Sequence, residues 1–137
     1  NIGIASAGNL ASTVGLSAGN GGDVALASTA GNVTVSHDIA SADVHDLSVS
    51  GAAIAMAAAN TSGSQTYTGN VTLNGDLTGS AIGISGNATL AGGKRTLTAN
   101  GANGGVALSG ALNGGAQQAV IVADDGDVTL GGNASNL

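Results

Sequence analysis

The pentapeptide GNVTL at residues 69–73 recurs, with small changes, five more times along the chain. In every copy, Gly and then Asn, Asp or Gly precede two apolar residues that flank Thr or Ala. This alternation places both apolar side chains on one face of a β-strand, and Gly followed by Asn or Asp is typical of a turn. Each copy therefore predicts a turn followed by a short strand. The other copies are GDVAL at 22–26, GNVTV at 31–35, GNATL at 86–90, GGVAL at 104–108 and GDVTL at 126–130.

The spacing of these copies predicts a repeating coil of about 20 residues. The copies that start at residues 31, 69, 86, 104 and 126 are 38, 17, 18 and 22 residues apart, and 38 is close to the length of two coils. We also expect strands where apolar residues alternate between the copies. Residues 51–59 (GAAIAMAAA) are predicted as strand, although Ala favours helix. The alternating pairs are Ile2/Ile4, Val14/Leu16, Leu47/Val49, Ile54/Met56, Ile82/Ile84 and Val120/Val122.

The composition indicates a thin core. The 137 residues include 25 Gly, no Pro, Cys, Phe or Trp, and a single Tyr at position 67. A sandwich uses large side chains to span about 10 Å between its sheets, whereas small aliphatic side chains fill a narrow lumen. We therefore predict an all-β parallel β-helix (β-solenoid) of six to seven coils, formed by residues 1–137 as one segment of a longer fibre. The residues predicted to line its core are Val33, Val35, Val71, Leu73, Leu90, Val106, Leu108, Val128 and Leu130.

The charge pattern excludes several classes of partner. Two basic residues against eight Asp give a net charge of −6, which provides no electrostatic footprint for nucleic acid or anionic lipid. No stretch approaches the roughly 20 apolar residues of a transmembrane helix, so we expect no membrane insertion. Without Cys, the chain can form neither a disulfide nor a thiolate metal site.

Two stretches resemble the filamentous-haemagglutinin class of bacterial exoproteins, the secreted partners of two-partner secretion systems. They are residues 61–90 (TSGSQTYTGNVTLNGDLTGSAIGISGNATL) and residues 104–132 (GGVALSGALNGGAQQAVIVADDGDVTLGG). The resemblance implies a right-handed parallel β-helix in the stalk of a long adhesive fibre. The chain differs from that class in carrying Val, Leu or Ala where Phe is common in its strands.

Three acidic residues form the densest candidate metal site. Asp124, Asp125 and Asp127 could supply oxygen ligands to calcium, although their spacing matches no known calcium loop. The alternative is an exposed turn between two strands. We favour the turn, and we expect no cofactor.

Two His–Asp dipeptides form a second candidate. His37–Asp38 and His45–Asp46 could orient an imidazole for metal binding, with Asp43 as a further carboxylate. Adjacent residues on a strand point to opposite faces, so a solvated loop is the favoured interpretation. Lys94 and Arg95 share a Gly-rich turn, where we expect them to interrupt edge pairing or to stay solvated. Tyr67 is expected to fill the core or to cap a turn.

These features favour a structural function. We expect a rigid segment of an exported adhesive or matrix fibre, at the bacterial surface or outside the cell, and not an enzyme. Its partners would be neighbouring coils of the same polypeptide, other copies stacked end to end, and host-surface or matrix glycans. The first alternative is ice binding through a row formed by Thr34, Thr72, Thr89 and Thr129, which Ala25 and Ala107 would interrupt. A polysaccharide-active enzyme on the same fold is the second, but no acid–base pair can be nominated for it.

Overall fold

The computed structural model describes residues 1–19 and 21–137, which form sixteen β-strands and no helix. Helices long and apolar enough to cross a membrane are accordingly absent from this part of the chain. In chain order the strands are β1 (Ile2–Ser6), β2 (Leu10–Ser12), β3 (Val24–Ser28), β4 (Val33–Val35), β5 (Leu47–Met56), β6 (Ala59–Asn60), β7 (Gln65–Leu73), β8 (Leu77–Gly79), β9 (Ile82–Ile84), β10 (Ala88–Leu90), β11 (Arg95–Ala99), β12 (Val106–Leu108), β13 (Leu112–Asn113), β14 (Ala119–Ala123), β15 (Val128–Leu130) and β16 (Ala134–Ser135).

Every strand pair is parallel, and the strands stack as a β-solenoid with three faces. The first face contains β1, β3, the start of β5, the start of β7, β9, β12 and β15. The second face contains β2, β4, the end of β5, the end of β7, β10, β13 and β16. The third face is the four-stranded sheet of β6, β8, β11 and β14.

The coil length varies around the predicted value. Register partners at the start of the first face are Ile2, Val24, Leu47, Gln65, Ile82, Val106 and Val128, so successive coils contain 22, 23, 18, 17, 24 and 22 residues. This confirms the predicted all-β solenoid and its coil count of six to seven. At about 4.8 Å per coil, the stack is roughly 30 Å long.

The copies of the repeat occupy two different faces. GNVTV at 31–35, GNVTL at 69–73 and GNATL at 86–90 form the second face, whereas the copies at 22–26, 104–108 and 126–130 form the first. All nine predicted core residues occupy lumen-facing positions. Seven of them are buried, but Val128 and Leu130 in the last coil are 46% and 45% exposed.

Two of the predicted strands differ in the structure. Residues 51–56 are strand as predicted, but residues 57 and 58 form a break before β6 begins at Ala59. Leu47/Val49 and Ile54/Met56 belong to one continuous strand, β5, whose register shifts between Ser50 and Ala53 where it passes from the first face to the second. Val14/Leu16 forms no strand, and Val14 is 68% exposed.

In β14 the residue that faces the lumen lies between the two members of the alternating pair Val120/Val122. Ile121 pairs with the buried Leu97 and faces the lumen, so Val120 and Val122 face outward. Three consecutive β-branched residues at 120–122 leave the facing direction undetermined by the local pattern.

Polar groups inside the lumen are fully paired. No buried side-chain nitrogen or oxygen of the described residues lacks a hydrogen-bond partner. Tyr67 is the largest fully buried side chain, and burial raises the pKa of its phenol far above the ordinary value of 10. Tyr67 thus fills the core, which is one of the two roles that the sequence predicts for it.

Candidate functional site

A ladder of Asn and Asp side chains runs along the corners of the solenoid. At the corner before the first face, Asn1 Oδ1 accepts a hydrogen bond from the backbone N–H of Asp23 at 3.0 Å. Asp23 Oδ1 then accepts from the N–H of Asp46 at 3.1 Å, and Asp46 Oδ1 from the N–H of Ser64 at 2.7 Å. Each acceptor therefore holds the backbone one coil further along, at the position just before a strand begins.

The same arrangement recurs at the other two corners. Before the second face, Asn9 Oδ1 accepts from the N–H of Asn32, and Asn87 Oδ1 from that of Ala111, both at 2.9 Å. At the start of the third face, Asp76 Oδ1 accepts from the N–H of Thr96, the second residue of β11, at 2.9 Å. The Gly–Asn and Gly–Asp steps, which the sequence assigns to turns, thus also join successive coils.

The densest group of possible ligand atoms lies on this ladder. Asp23, His45 and Asp46 place one ligand atom each within 4.8 Å of one another. His45 Nδ1 lies 3.3 Å from Asp23 Oδ1 and 3.5 Å from Asp46 Oδ1. The side chains of His45, Asp23 and Asp46 are 49%, 47% and 51% exposed.

The fold brings these three residues together through coil register. Asp23 precedes β3 and Asp46 precedes β5, and Val24 pairs with Leu47. Gly63 lies beside these residues on the next coil. A Cβ atom added at Gly63 would lie 2.1 Å from Asp46 Oδ1 and 2.9 Å from His45 Cε1. The space beside the imidazole therefore depends on Gly at position 63.

The chemistry available to this group is limited by its existing bonds. Imidazole nitrogen and carboxylate oxygen are donors for a divalent cation, but Oδ1 of both carboxylates already accepts a backbone N–H. The contacts of Asp23, His45 and Asp46 link the second, third and fourth coils, and we call these three residues the polar clasp.

The sequence predicts two of the three members of this site, His45 and Asp46, with Asp43 as a further carboxylate. The third member is instead Asp23, which lies 22 residues before His45. Aligning Asp-Val-Ala-Leu at 23–26 with Asp-Leu-Ser-Val at 46–49 would have placed both aspartates at one position of adjacent coils. The other pair lies at a different corner, where His37 is exposed and Asp38 Oδ1 accepts from the N–H of Ala58 at 3.2 Å.

The acidic cluster near the C-terminus has a different arrangement. Asp124, Asp125 and Asp127 are exposed at the corner between β14 and β15. In the described chain, their carboxylates do not come together as one group of ligand atoms. Calcium binding there stays the less favoured of the two sequence-based interpretations, beside the exposed turn.

The predicted row of threonines is divided between two faces. Thr72 and Thr89 are neighbours on the second face, but Ala55 separates Thr34 from Thr72. Thr129 lies on the first face beside Ala107. A flat, regular Thr array is therefore absent at these positions, because the sequence copies are divided between two faces.

The basic pair is placed at the corner before the third face. Arg95 begins β11, and its guanidinium donates to the carbonyl oxygens of Leu73, at 3.3 Å, and of Ala91. Lys94 is exposed. Arg95 thus holds a turn, which is a third role beside the interrupted edge and the solvated side chain that we expected.

The first face carries a shallow open groove beside the ladder. Its floor is formed by the backbone of Gly3 and the small outward side chains of Ala25, Ser48 and Thr66, and Asp23 and Asp46 line its edge. No protein-family description, curated protein sequence or solved structure matches this chain.

Proposed function

We propose that this chain is a rigid structural segment of an exported adhesive or matrix fibre, located at the bacterial surface or outside the cell. The observation that carries the proposal is the one-dimensional stack itself. Each strand pairs with strands one coil away, so that a longer rod needs only more coils of the same kind.

The corner ladder supports this role because it adds inter-coil bonds outside the lumen. A rod that transmits force needs every coil fixed to the next, and the ladder ties the strand starts together at all three corners. The resemblance of residues 61–90 and 104–132 to filamentous-haemagglutinin exoproteins points to the same kind of fibre, with host-surface or matrix glycans as candidate ligands.

Immunogold labelling of intact source cells tests the proposal. Antibodies raised against the folded chain should label fibres or matrix outside the cell without permeabilisation. Label that appears only after permeabilisation would overturn the assignment to a surface fibre. The proposal assigns no catalytic activity, so lyase or hydrolase activity on an acidic polysaccharide would also contradict it.

A further inference from the structure

The polar clasp carries more negative charge than its place in the ladder requires. Its two carboxylates, Asp23 and Asp46, each hold the backbone N–H of the next coil through Oδ1. At the corner before the second face, neutral amides make the same bonds at 2.9 Å, so the hydrogen bonds alone do not explain aspartate at both positions of the clasp. The amides belong to Asn9, Asn70 and Asn87.

No Lys or Arg side chain of the described residues forms an ion pair with these two carboxylates. Asp23 and Asp46 precede register partners in β3 and β5, so their backbones lie one strand spacing apart, about 4.8 Å. The only basic residues of the chain, Lys94 and Arg95, lie at the corner before the third face. Two like charges this close repel each other, and a cation bound between them would remove the repulsion.

The distances within the clasp match those between the ligands of a metal ion. His45 Nδ1 lies 3.3 Å from Asp23 Oδ1 and 3.5 Å from Asp46 Oδ1, and all three ligand atoms lie within 4.8 Å of one another. Neighbouring ligands of a tetrahedral Zn²⁺ ion, with bonds of about 2.0–2.2 Å, lie about 3.3–3.6 Å apart. A charge-assisted N–H···O bond is shorter, at about 2.7–2.9 Å. The separations therefore fit an ion between the atoms better than a direct hydrogen bond.

The backbone around the clasp holds these ligands in place. The N–H of His45 donates to the carbonyl of Gly22 on the preceding coil, and its carbonyl accepts from the N–H of Gly63 on the next coil, both at 2.9 Å. A carboxylate has about four lone-pair sites, so the ladder bonds of Asp23 and Asp46 orient them and leave sites for an ion. Gly63 leaves the space that any Cβ atom would take from the Asp46 carboxylate.

The donor set selects the kind of ion. One imidazole nitrogen with two carboxylate oxygens suits zinc and the neighbouring transition metals, whereas Ca²⁺ takes six to eight oxygen ligands and Mg²⁺ an octahedron of oxygens. The three side chains are about half exposed, so an ion could reach them from solvent and water could complete its coordination.

We propose that Asp23, His45 and Asp46 form a binding site for a divalent transition-metal ion, with Zn²⁺ as the ion that the distances fit. The ion would fasten the second coil to the third, beside the existing ladder bonds. This inference goes beyond the proposed fibre function and does not depend on it.

Competition between the untagged chain and a chromophoric zinc indicator tests the site. The parent chain should withdraw Zn²⁺ from the indicator with a single saturable affinity, and excess Ca²⁺ or Mg²⁺ should not displace the ion. Asp23→Asn is the diagnostic variant, because Asn keeps a ladder acceptor and removes the charge. We expect Asp23→Asn and His45→Gln each to bind Zn²⁺ at least about tenfold more weakly than the parent chain.

His37→Gln and Asp76→Asn are the matched controls. His37 is the other imidazole of the chain, and Asp76 is a ladder carboxylate at the start of the third face that lies outside the clasp. Both variants should bind Zn²⁺ as tightly as the parent chain. In the presence of a chelator, the urea midpoint of Asp23→Asn should match or exceed that of the parent, which separates loss of the ion from loss of the fold.

Nitrogen NMR of the imidazoles gives a measurement that needs no variant. Zn²⁺ should shift the Nδ1 resonance of His45 and leave that of His37 unchanged. Absence of saturable Zn²⁺ binding by the parent chain would overturn the proposal, and so would equal affinity in Asp23→Asn or loss of binding in His37→Gln. Surface labelling of cells decides the fibre function separately, whichever of these results is found.

Discussion

Tyr67 donates a hydrogen bond from its phenolic O–H to Oε1 of Gln65 at 2.8 Å inside the lumen. Nε2 of Gln65 in turn donates to the carbonyls of Ala59 and Thr78, at 3.0 and 2.8 Å, and lies 3.2 Å from Oγ1 of Thr61. One polar side chain thus crosses the solenoid from the first face to the third. Tyr67, Gln65, Ala59 and Thr61 are buried, so Gln65 depends on these partners for the hydrogen bonds of its amide.

Replacing Tyr67 with Phe should destabilise the fold by about 1–3 kcal/mol, because Oε1 of Gln65 loses its partner in a place that water cannot reach. The free energy of unfolding in urea measures the effect. Thr66→Ala is the control, since Thr66 is exposed on the same strand, and it should change stability by less than about 0.5 kcal/mol. Equal stability of Tyr67→Phe and the parent chain would show that the network contributes nothing.

Alkaline titration should reveal the burial of the same residue. Burial raises the pKa of Tyr67 in the folded state, so its stabilising contribution is fully present below the unfolded pKa of 10 and is lost as the pH rises above it. We expect stability to fall by about 1.4 kcal/mol per pH unit in that range from this group. Tyrosinate absorbance should appear only as the chain unfolds.

The single tyrosine makes this measurement unambiguous, because no other phenol contributes to the absorbance. Tyr67→Phe should lose that part of the pH dependence. A tyrosinate signal with a midpoint near pH 10 in a chain that is still folded by circular dichroism would contradict the burial.

The repeat predicts the coils because its chemistry is local. Val71-x-Leu73 is sufficient to set a strand with two side chains inward, and the preceding Gly–Asn sets the corner. The face that each copy occupies is a non-local property, since it depends on how many residues lie in the corners between. For that reason Thr129 could not be separated from Thr72 by sequence alone.

For the same reason, the sequence predicts only part of the polar clasp at His45. Asp46 is its neighbour in sequence, but Asp23 reaches it through strand register one coil earlier. In β14 the inward direction of Ile121 is fixed by pairing with Leu97 and not by the surrounding apolar residues. In each case, the missing information is the alignment between coils.

Replacing Gly69 should lower the free energy of unfolding more than replacing a glycine on the outer surface of a strand. Gly69 has φ +134°, and a Cβ atom there would lie 1.9 Å from the carbonyl oxygen of Gly51 on the preceding coil. Because backbone must move to make room, Gly69→Ala should cost about 3 kcal/mol or more.

Gly83→Ala is the matched control. Gly83 lies in a strand, and a Cβ atom at this position would have no atom within 4 Å beyond its own chain neighbours. We expect its midpoint of urea unfolding to match or slightly exceed that of the parent chain, because Ala lowers the entropy of the unfolded state. Similar losses in both variants would show that the close approach of coils at Gly69 is not the cause.

Removing one ladder acceptor should weaken the joint between two coils. Asn87 Oδ1 accepts the N–H of Ala111 at 2.9 Å, so Asn87→Ala should lower the free energy of unfolding by about 1 kcal/mol. Asn87→Asp keeps an acceptor oxygen at the same position and should recover most of the loss. Hydrogen exchange at the amide of Ala111 should quicken in Asn87→Ala and stay slow in Asn87→Asp.

Asn100→Ala is the surface control, because Asn100 is exposed at a corner and should tolerate truncation within about 0.5 kcal/mol. If the two Ala variants lost equal stability and the exchange at Ala111 did not change, the ladder hydrogen bonds would not contribute to the stability of the fold.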